Sequence, residues 1–461
     1  MASTNTMITK IITRVSTKVK EVGLRATISK IFYKIALFLV TKEKDVKVQV
    51  EEAIYGKVSE FDEIILGSIK YTNDINKYNA GASKISSIPK VLEFAWLVPF
   101  FSRGSGGHQN LFRFVKFLES VNCKCTVYIV GDYEKLLTPE QIRQQIREYF
   151  ATIKAEVKIY SPNITYPKTN IVVCTSWITA YAGLTMPADL KVYFVQDYEP
   201  LFYSSGSYSF LAQNTYKFGY YHITLGKWLS YFLRTNYEVN TDYYDIVVDK
   251  NIYYPRTKIK SKLVRSLVSE NENAFKVAFY GRNVTPRRCF ELVVMALYLF
   301  AEQAENIVLI CYGWNDIPPL PFKSYNAGML SVEDLAELYS VCDVCIAPSS
   351  TNLSLVAREV MACGSVLMDL EVENTAYDLI HLENSYLVKP DPKSMCDGLL
   401  DLYHNRDLVK LLKRKSLQHI AQLSDWSVQG KRFHNLIMNK LNNSLQASRE
   451  EKESSSLHNR L

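Results

Sequence analysis

The chain has 461 residues, 48% hydrophobic and 22% charged, an ordinary globular composition that excludes a disordered or fibrous protein. Its length exceeds one compact core and implies two domains with additions. The formal charge of +7 is unevenly placed: residues 1–34 hold seven basic side chains against one acid, leaving +1 for the remainder, which argues against nucleic-acid binding by the main body.

Residues 7–40 read as an amphipathic helix. Ile8, Ile11, Ile12, Val15, Val19 and Val22 share one face, with Lys10, Arg14, Lys18 and Arg25 elsewhere. Gly23 is expected to bend it, and Leu24, Ile28, Ile31, Ile35 and Leu39 resume the stripe. Two readings stay open: a helix lying on an anionic membrane surface, or a helical hairpin packed on the protein's own body. No apolar run reaches the ~20 residues needed to cross a bilayer, and none near the start reads as a cleavable signal. Nine cysteines in so long a chain read as reduced thiols of a cytoplasmic protein, peripheral at most on a membrane. Cys342 and Cys345 lie in an apolar run without a second pair, so they are assigned to core packing rather than zinc.

After a polar linker, with a Gly/Ser-rich connector at 81–87, strands are expected at 91–98, 124–130, 157–160, 171–175, 191–196 and 222–225, with helical patterns between them. A polar stretch at 258–273 precedes a second set at 275–280, 306–312, 341–347 and 365–369. Such alternation predicts an α/β protein with two parallel sheets covered on both faces. The expected organisation is an extension and linker over 1–89, a first Rossmann-like domain over 90–263 and a second over 264–425. A closing helix at 426–441 and a disordered tail at 442–461 complete it.

Ligands of open parallel sheets bind beyond the carboxyl ends of the strands, and five loops there carry suggestive residues. Gly104, Ser105, Gly106, Gly107 and His108 precede a helix, where backbone N–H groups can approach a phosphate; a plain tight turn is the alternative. Gln196, Asp197 and Glu199 follow a strand and suit sugar hydroxyls or acid/base work, against simple helix capping by Asp197. Tyr280, Gly281, Arg282, Arg287 and Arg288 lie between strand and helix, where arginines can clamp a diphosphate and stabilise charge on it as a sugar leaves. Tyr312 and Gly313, with Met329 and Leu330, suit a nucleobase; alone they read as core. Thr351, Asn352 and Ser354 offer donors before a helix, and Glu359 on that helix can accept from ribose hydroxyls; a solvated carboxylate is the bland reading. No D-x-D, P-loop, H-E-x-x-H or G-x-S-x-G occurs.

In this order the loops resemble glycosyltransferase family 4 and its relatives with the GT-B fold. Arg282 and Arg287 match that family's pair of basic residues on the donor pyrophosphate, which more often has lysine second. Glu359 with Val360, Met361, Ala362, Cys363 and Gly364 resembles the segment whose glutamate binds the donor ribose. Thr351 stands where the family usually has a further glutamate, and Gln196 where it has histidine before Asp197. The chain is more similar still to the WsaF-type rhamnosyltransferases, through residues 195–203, 279–287 and 351–359. The resemblance implies two Rossmann-like domains facing a cleft, and a retaining enzyme that transfers rhamnose or another deoxysugar from a thymidine-diphosphate donor. The acceptor would be a glycan or lipid-linked glycan. No cofactor or metal is expected, with Asp197, Glu199 and Arg282 as catalytic residues and the other loop residues binding donor. Two alternatives share the architecture: a hydrolysing nucleotide-sugar epimerase, and a catalytically silent nucleotide-sugar-binding subunit.

Overall fold

The computed structural model describes residues 60–72, 85–131, 137–269 and 273–458. The amphipathic arm expected over 7–40 lies outside them, as do most of the linker and the last three residues of the expected tail. Helix α1 (Glu60–Thr72) precedes the first sheet domain.

That domain runs β1 (Glu93–Pro99), α2 (Gly106–Ser120), β2 (Lys124–Val130), α3 (Pro139–Tyr149), β3 (Glu156–Ile159), β4 (Thr169–Cys174) and α4 (Trp177–Leu184). It continues through β5 (Ala188–Val195), a 3-10 turn (Glu199–Phe202), α5 (Ser207–Thr215), β6 (Tyr221–Leu225), α6 (Lys227–Tyr237) and β7 (Thr241–Tyr244). Its strands form one sheet in the order β3-β2-β1-β4-β5-β6-β7, and every pairing is parallel. Phe94 to Val98 in β1 are all buried, as a central parallel strand covered on both faces requires.

The second sheet domain contains α7 (Lys262–Ser269), β8 (Phe275–Tyr280), a 3-10 turn (Pro286–Arg288), α8 (Phe290–Ala301), β9 (Ile307–Tyr312), β10 (Tyr325–Gly328) and α9 (Val332–Val341). Then come β11 (Val344–Ile346), α10 (Leu355–Ala362), β12 (Val366–Leu370), β13 (Tyr386–Val388), α11 (Pro392–His404) and α12 (Arg406–Gln422). The order β10-β9-β8-β11-β12-β13 is again wholly parallel. In each sheet the strand order reverses beside the domain's first strand, at β1/β4 and at β8/β11. Chains leave these neighbours in opposite directions and open a crevice at their carboxyl ends.

The last helix, α13 (Trp426–His458), returns to the first domain. Phe433 stacks on Trp96 at 5.9 Å and meets Phe114 and Phe194 edge-on at 5.4 and 5.7 Å. Gly430 is obligatory here, since a Cβ would lie 2.3 Å from the Phe117 ring. The helix does not stop at 441. Residues 442–458, expected to be disordered, continue it to His458. Once Phe433, Ile437 and Leu441 are buried, extension adds a hydrogen bond per residue without a new nucleus.

The described residues from 63 onward form one compact unit. All nine cysteines are free; eight are buried and Cys289 is half-buried. No described helix is long and apolar enough to cross a membrane.

Candidate active site

Loops from both sheets meet at the two crevices. After β1 the chain turns through Gly104, whose φ of +80° is a left-handed conformation that glycine adopts without strain. A Cβ on Gly104 would lie 3.2 Å from Met329 Cε, and one on Gly106 would lie 3.6 Å from Leu355 Cδ1. The glycine loop therefore abuts the second domain at close range. His108 pins it: Nδ1 is 2.7 Å from Ser105 Oγ and Nε2 is 3.3 Å from the Pro99 carbonyl. Burial holds its pKa down at about 4, so the ring is neutral, with Nε2–H donating to Pro99 and Nδ1 accepting from Ser105.

Gln196 is scaffold. Its Oε1 accepts from Asn110 at 2.8 Å, its Nε2 donates to the Gly107 carbonyl at 3.0 Å, and its own carbonyl accepts from Asn352 Nδ2 at 2.9 Å. Asn352 also donates to the Leu225 carbonyl at 3.1 Å. Its amide is thus a bridge between the domains, and Ser354 Oγ caps α10 by accepting from Val356 N.

Asp197 faces the second domain, its Oδ2 3.5 Å from Arg287 Nε. Burial raises its pKa, opposed by Arg287, by the Thr351 hydroxyl beside it and by Arg288. Glu199 sits differently. It is buried, and Oε2 accepts from Trp177 N at 2.6 Å, at the N-terminus of α4. Burial, with Asp197 nearby, pushes its pKa up to about 8. Of the two carboxylates expected to act together, only Asp197 faces the cleft; Glu199 is built into the first domain's core as a helix cap.

Three arginines gather after β8. Arg282 stacks on Trp314 at 5.1 Å and Arg287 on Phe202 at 4.2 Å. Arg288 stands near Asp369, a carboxylate buried at the carboxyl end of β12 whose pKa burial raises to about 7. The Arg287 carbonyl accepts from Ser350 N at 3.0 Å, which ties this loop to the one after β11. Arg282 Nε, Arg288 Nη1 and Ser349 Oγ are buried without hydrogen-bond partners, while Arg287 Nε has only its 3.5 Å ion pair with Asp197. Buried N–H groups on cations are costly to leave unpaired. Their convergence at strand ends fits a polyanionic ligand.

Gly281 and Gly313 let the loops close. A Cβ on Gly281 would lie 2.1 Å from Cys311 Sγ, and one on Gly313 would lie 2.4 Å from the Tyr280 ring. Gly281 N donates to the Tyr312 carbonyl and Gly313 N to the Gly328 carbonyl, each at 2.8 Å. The Tyr312 ring is buried against Tyr280 and Tyr339, Met329 is exposed and Leu330 is half-buried. Glu359 is half-buried. Burial lifts its pKa to about 7 against the opposing effects of Arg113 and the Tyr253 hydroxyl. It is therefore not the solvated helix residue of the bland reading. Arg113, stacked on Trp426 at 4.7 Å, and Tyr253 were not anticipated from sequence. Nor was Asp369, for which the only signal was a carboxylate inside an apolar strand.

Two parallel sheets with carboxyl-end loops facing one another across a cleft define the GT-B fold of glycosyltransferases. Solved structures agree. The Anabaena protein Alr3699/HepE, solved with UDP and glucose, superposes with a TM-score of 0.59 at 13% identity over 76% of this chain and 100% of its own. Sucrose-phosphate synthase from Thermosynechococcus elongatus gives 0.56 at 12% identity over 76% of this chain and 98% of its own. WaaG, a glycosyltransferase involved in lipopolysaccharide biosynthesis, gives 0.53 at 14% identity over 75% and 99%.

Within that fold, residues 275–400 of the second domain match the family described as WsaF, C-terminal domain. The O-antigen biosynthesis protein RfbC of Myxococcus xanthus is 26% identical over 353 residues, 75% of this chain and 27% of that protein. The chain thus spans about a quarter of the length of the curated relative it matches.

Proposed function

We propose that the protein is a glycosyltransferase that moves a sugar from a nucleoside-diphosphate donor onto a glycan or lipid-linked glycan acceptor. The observation that carries this reading is the convergence of Arg282, Arg287 and Arg288, with Arg282 Nε and Arg288 Nη1 buried and unpaired, opposite Asp197 of the first domain, which pairs with Arg287. A departing sugar leaves charge on the diphosphate, and fixed guanidiniums stabilise it without reorganising at the moment of reaction. On this reading no divalent metal is needed. Backbone at Gly106 and Gly107 approaches the phosphates. Tyr280, Gly281, Tyr312, Gly313, Met329 and Leu330 frame the base, and Glu359 accepts from the ribose. Asp197 and Thr351 border the space of the transferred sugar. Asn352, Ser354 and Glu199 act through the scaffold they hold.

The relative named for O-antigen biosynthesis and the UDP- and glucose-bound structural neighbour support this reading. Rhamnose or another deoxysugar on thymidine diphosphate, and retention at the anomeric carbon, rest on the WsaF resemblance. The basic arm, with most of the chain's net charge, supports peripheral contact with an anionic membrane from the cytoplasmic side.

The test is a panel of nucleotide sugars, read first by thermal shift, since a bound donor stabilises the fold by mass action, and then by turnover with glycan acceptors in EDTA. Acceptor-dependent product supports the proposal. Conversion of donor without acceptor indicates an epimerase, and binding without turnover indicates a silent subunit.

A further inference from the structure

The net charge of +1 outside the arm conceals a local excess. Residues 250–269, which lie between β7 of the first sheet and β8 of the second, hold six basic side chains and no acid. The rest of the chain beyond the arm is therefore net acidic. Of the six, only Lys250 has a carboxylate partner among the described residues, Asp425 at 3.7 Å. Arg256, Lys258, Lys260, Lys262 and Arg265 stand without one.

The linker is built to present its lysines outward. Lys258, Lys260 and Lys262 are exposed, whereas Ile259 and Ser261 between them are half-buried, and Ile259 packs on the core. Such alternation belongs to an extended backbone, which sets every second side chain on one side, about 7 Å apart. The backbone is held from the other side. Glu337 of α9, itself buried, accepts from Lys260 N and Ser261 N at 2.9 and 2.7 Å. Arg265 reaches back from α7 and donates through Nη2 to the Ile259 and Lys260 carbonyls at 3.2 and 3.0 Å. Its guanidinium thus lies against the stretch that carries the lysines, and the four cations are contiguous. Leu263, 39% exposed, adjoins Lys262 on the first turn of α7.

Charge and side-chain type select the partner. Like charges at this spacing repel, and a polyanion removes that cost. The outward cations are lysines, compact charges on flexible stems. The two arginines turn onto the backbone instead, Arg256 through Nη2 onto the Ile252 carbonyl at 2.7 Å and Arg265 as above. Nucleic acids and fixed phosphate sites are read by free guanidinium forks, whereas a fluid array of lipid phosphates needs only point charge. An exposed leucine among lysines has a use at the apolar boundary of a bilayer and none against an acidic polypeptide.

We propose that Lys258, Lys260, Lys262 and Arg265, with Leu263, form a docking surface for an anionic phospholipid bilayer on the linker between the sheet domains, separate from the basic arm. None of these residues belongs to the donor loops, so the proposal stands apart from the glycosyltransferase reading. Co-sedimentation of the full chain with phosphatidylcholine vesicles, with and without phosphatidylglycerol, tests it. The parent should bind only the vesicles that contain phosphatidylglycerol. The triple variant Lys258→Gln, Lys260→Gln, Lys262→Gln should bind them about a hundredfold more weakly, close to fivefold per lysine. The triple variant Lys258→Arg, Lys260→Arg, Lys262→Arg keeps the charge and should bind as the parent does. Unchanged melting temperatures verify that both are folded. Equal binding to phosphatidylcholine alone overturns the proposal. Parental binding by the glutamine variant also overturns it and leaves the arm as the membrane contact. Fluorescent polyglutamate is the third probe: if the glutamine variant loses it while holding vesicles as the parent does, the surface takes an acidic polypeptide and the bilayer is ruled out.

Discussion

Asp197 of the first sheet domain lies with Oδ2 3.5 Å from Nε of Arg287 in the second, so the carboxylate of one side of the cleft partly neutralises the donor clamp of the other. A diphosphate on Arg287 competes with Asp197 for that guanidinium. Asp197→Asn should therefore bind nucleoside diphosphate more tightly, by about fivefold if the partly exposed pair is worth ~1 kcal/mol, while turning over more slowly. Arg287→Ala should bind more weakly. Calorimetry on both variants decides it; unchanged or weaker binding by Asp197→Asn means that the pair does not compete with donor.

Arg282 has a ring beneath it, Trp314 at 5.1 Å, and an unpaired buried Nε, which together hold the guanidinium ready for an anion. Arg282→Ala should lower kcat by about two to three orders of magnitude, the usual loss of one aimed contact to developing charge. Because these cations are covalently part of the chain, initial rates should be the same in EDTA. A rate abolished by chelator and restored by manganese would refute the assignment of leaving-group stabilisation to the arginines.

The parts of this architecture readable from sequence share one physical trait. Central strands such as β2, β5 and β8 are covered on both faces and so appear as apolar runs. The strands missed were β7, β10 and β13, all sheet edges of three or four residues, where one side is unpaired and the apolar run is short. The arginine loop was legible because its residues are close in sequence. The split between Asp197 and Glu199 was not, because two residues apart at a strand end can turn toward cleft or core, and the Trp177 N–H that captured Glu199 lies 22 residues away. The end of α13 was misread for a similar reason. Its polar composition says disorder, but Phe433 and Ile437, buried under the first sheet, anchor the helix from which it grows.

Glu359 gives a pH signature. Its pKa is held near 7 by burial, so the carboxylate accepts a proton as pH falls through that value and offers ribose a weaker acceptor. UDP-glucose is a suitable probe, since neither of its phosphates titrates near neutrality. Its affinity should fall as pH is lowered through about 7, whereas Glu359→Gln should bind about tenfold more weakly at high pH, the scale of a hydrogen bond to a charged group, and keep only the pH dependence that Asp369 contributes beside Arg288. Parallel profiles for the two proteins would separate Glu359 from the ribose.

Glu199 predicts a pH dependence of stability. Its folded pKa of about 8 stands above the ordinary 4.5. A carboxyl group shifted upward in the native state favours folding while protonated. Its contribution is therefore complete below pH 4.5 and is lost as pH rises through 8. Glu199→Gln retains an oxygen for the Trp177 N–H but never ionises. The melting temperatures of the two proteins should agree below about pH 4.5, diverge progressively between pH 4.5 and about 8, and hold a constant gap above that, with Glu199→Gln higher by several degrees near pH 9. Glu199→Ala leaves the Trp177 N–H unpaired at the start of α4 and should melt lower than Glu199→Gln at every pH. Melting curves of the three proteins across this range are the measurement. A constant offset between wild type and Glu199→Gln would show that the carboxyl group does not change its proton occupancy on folding.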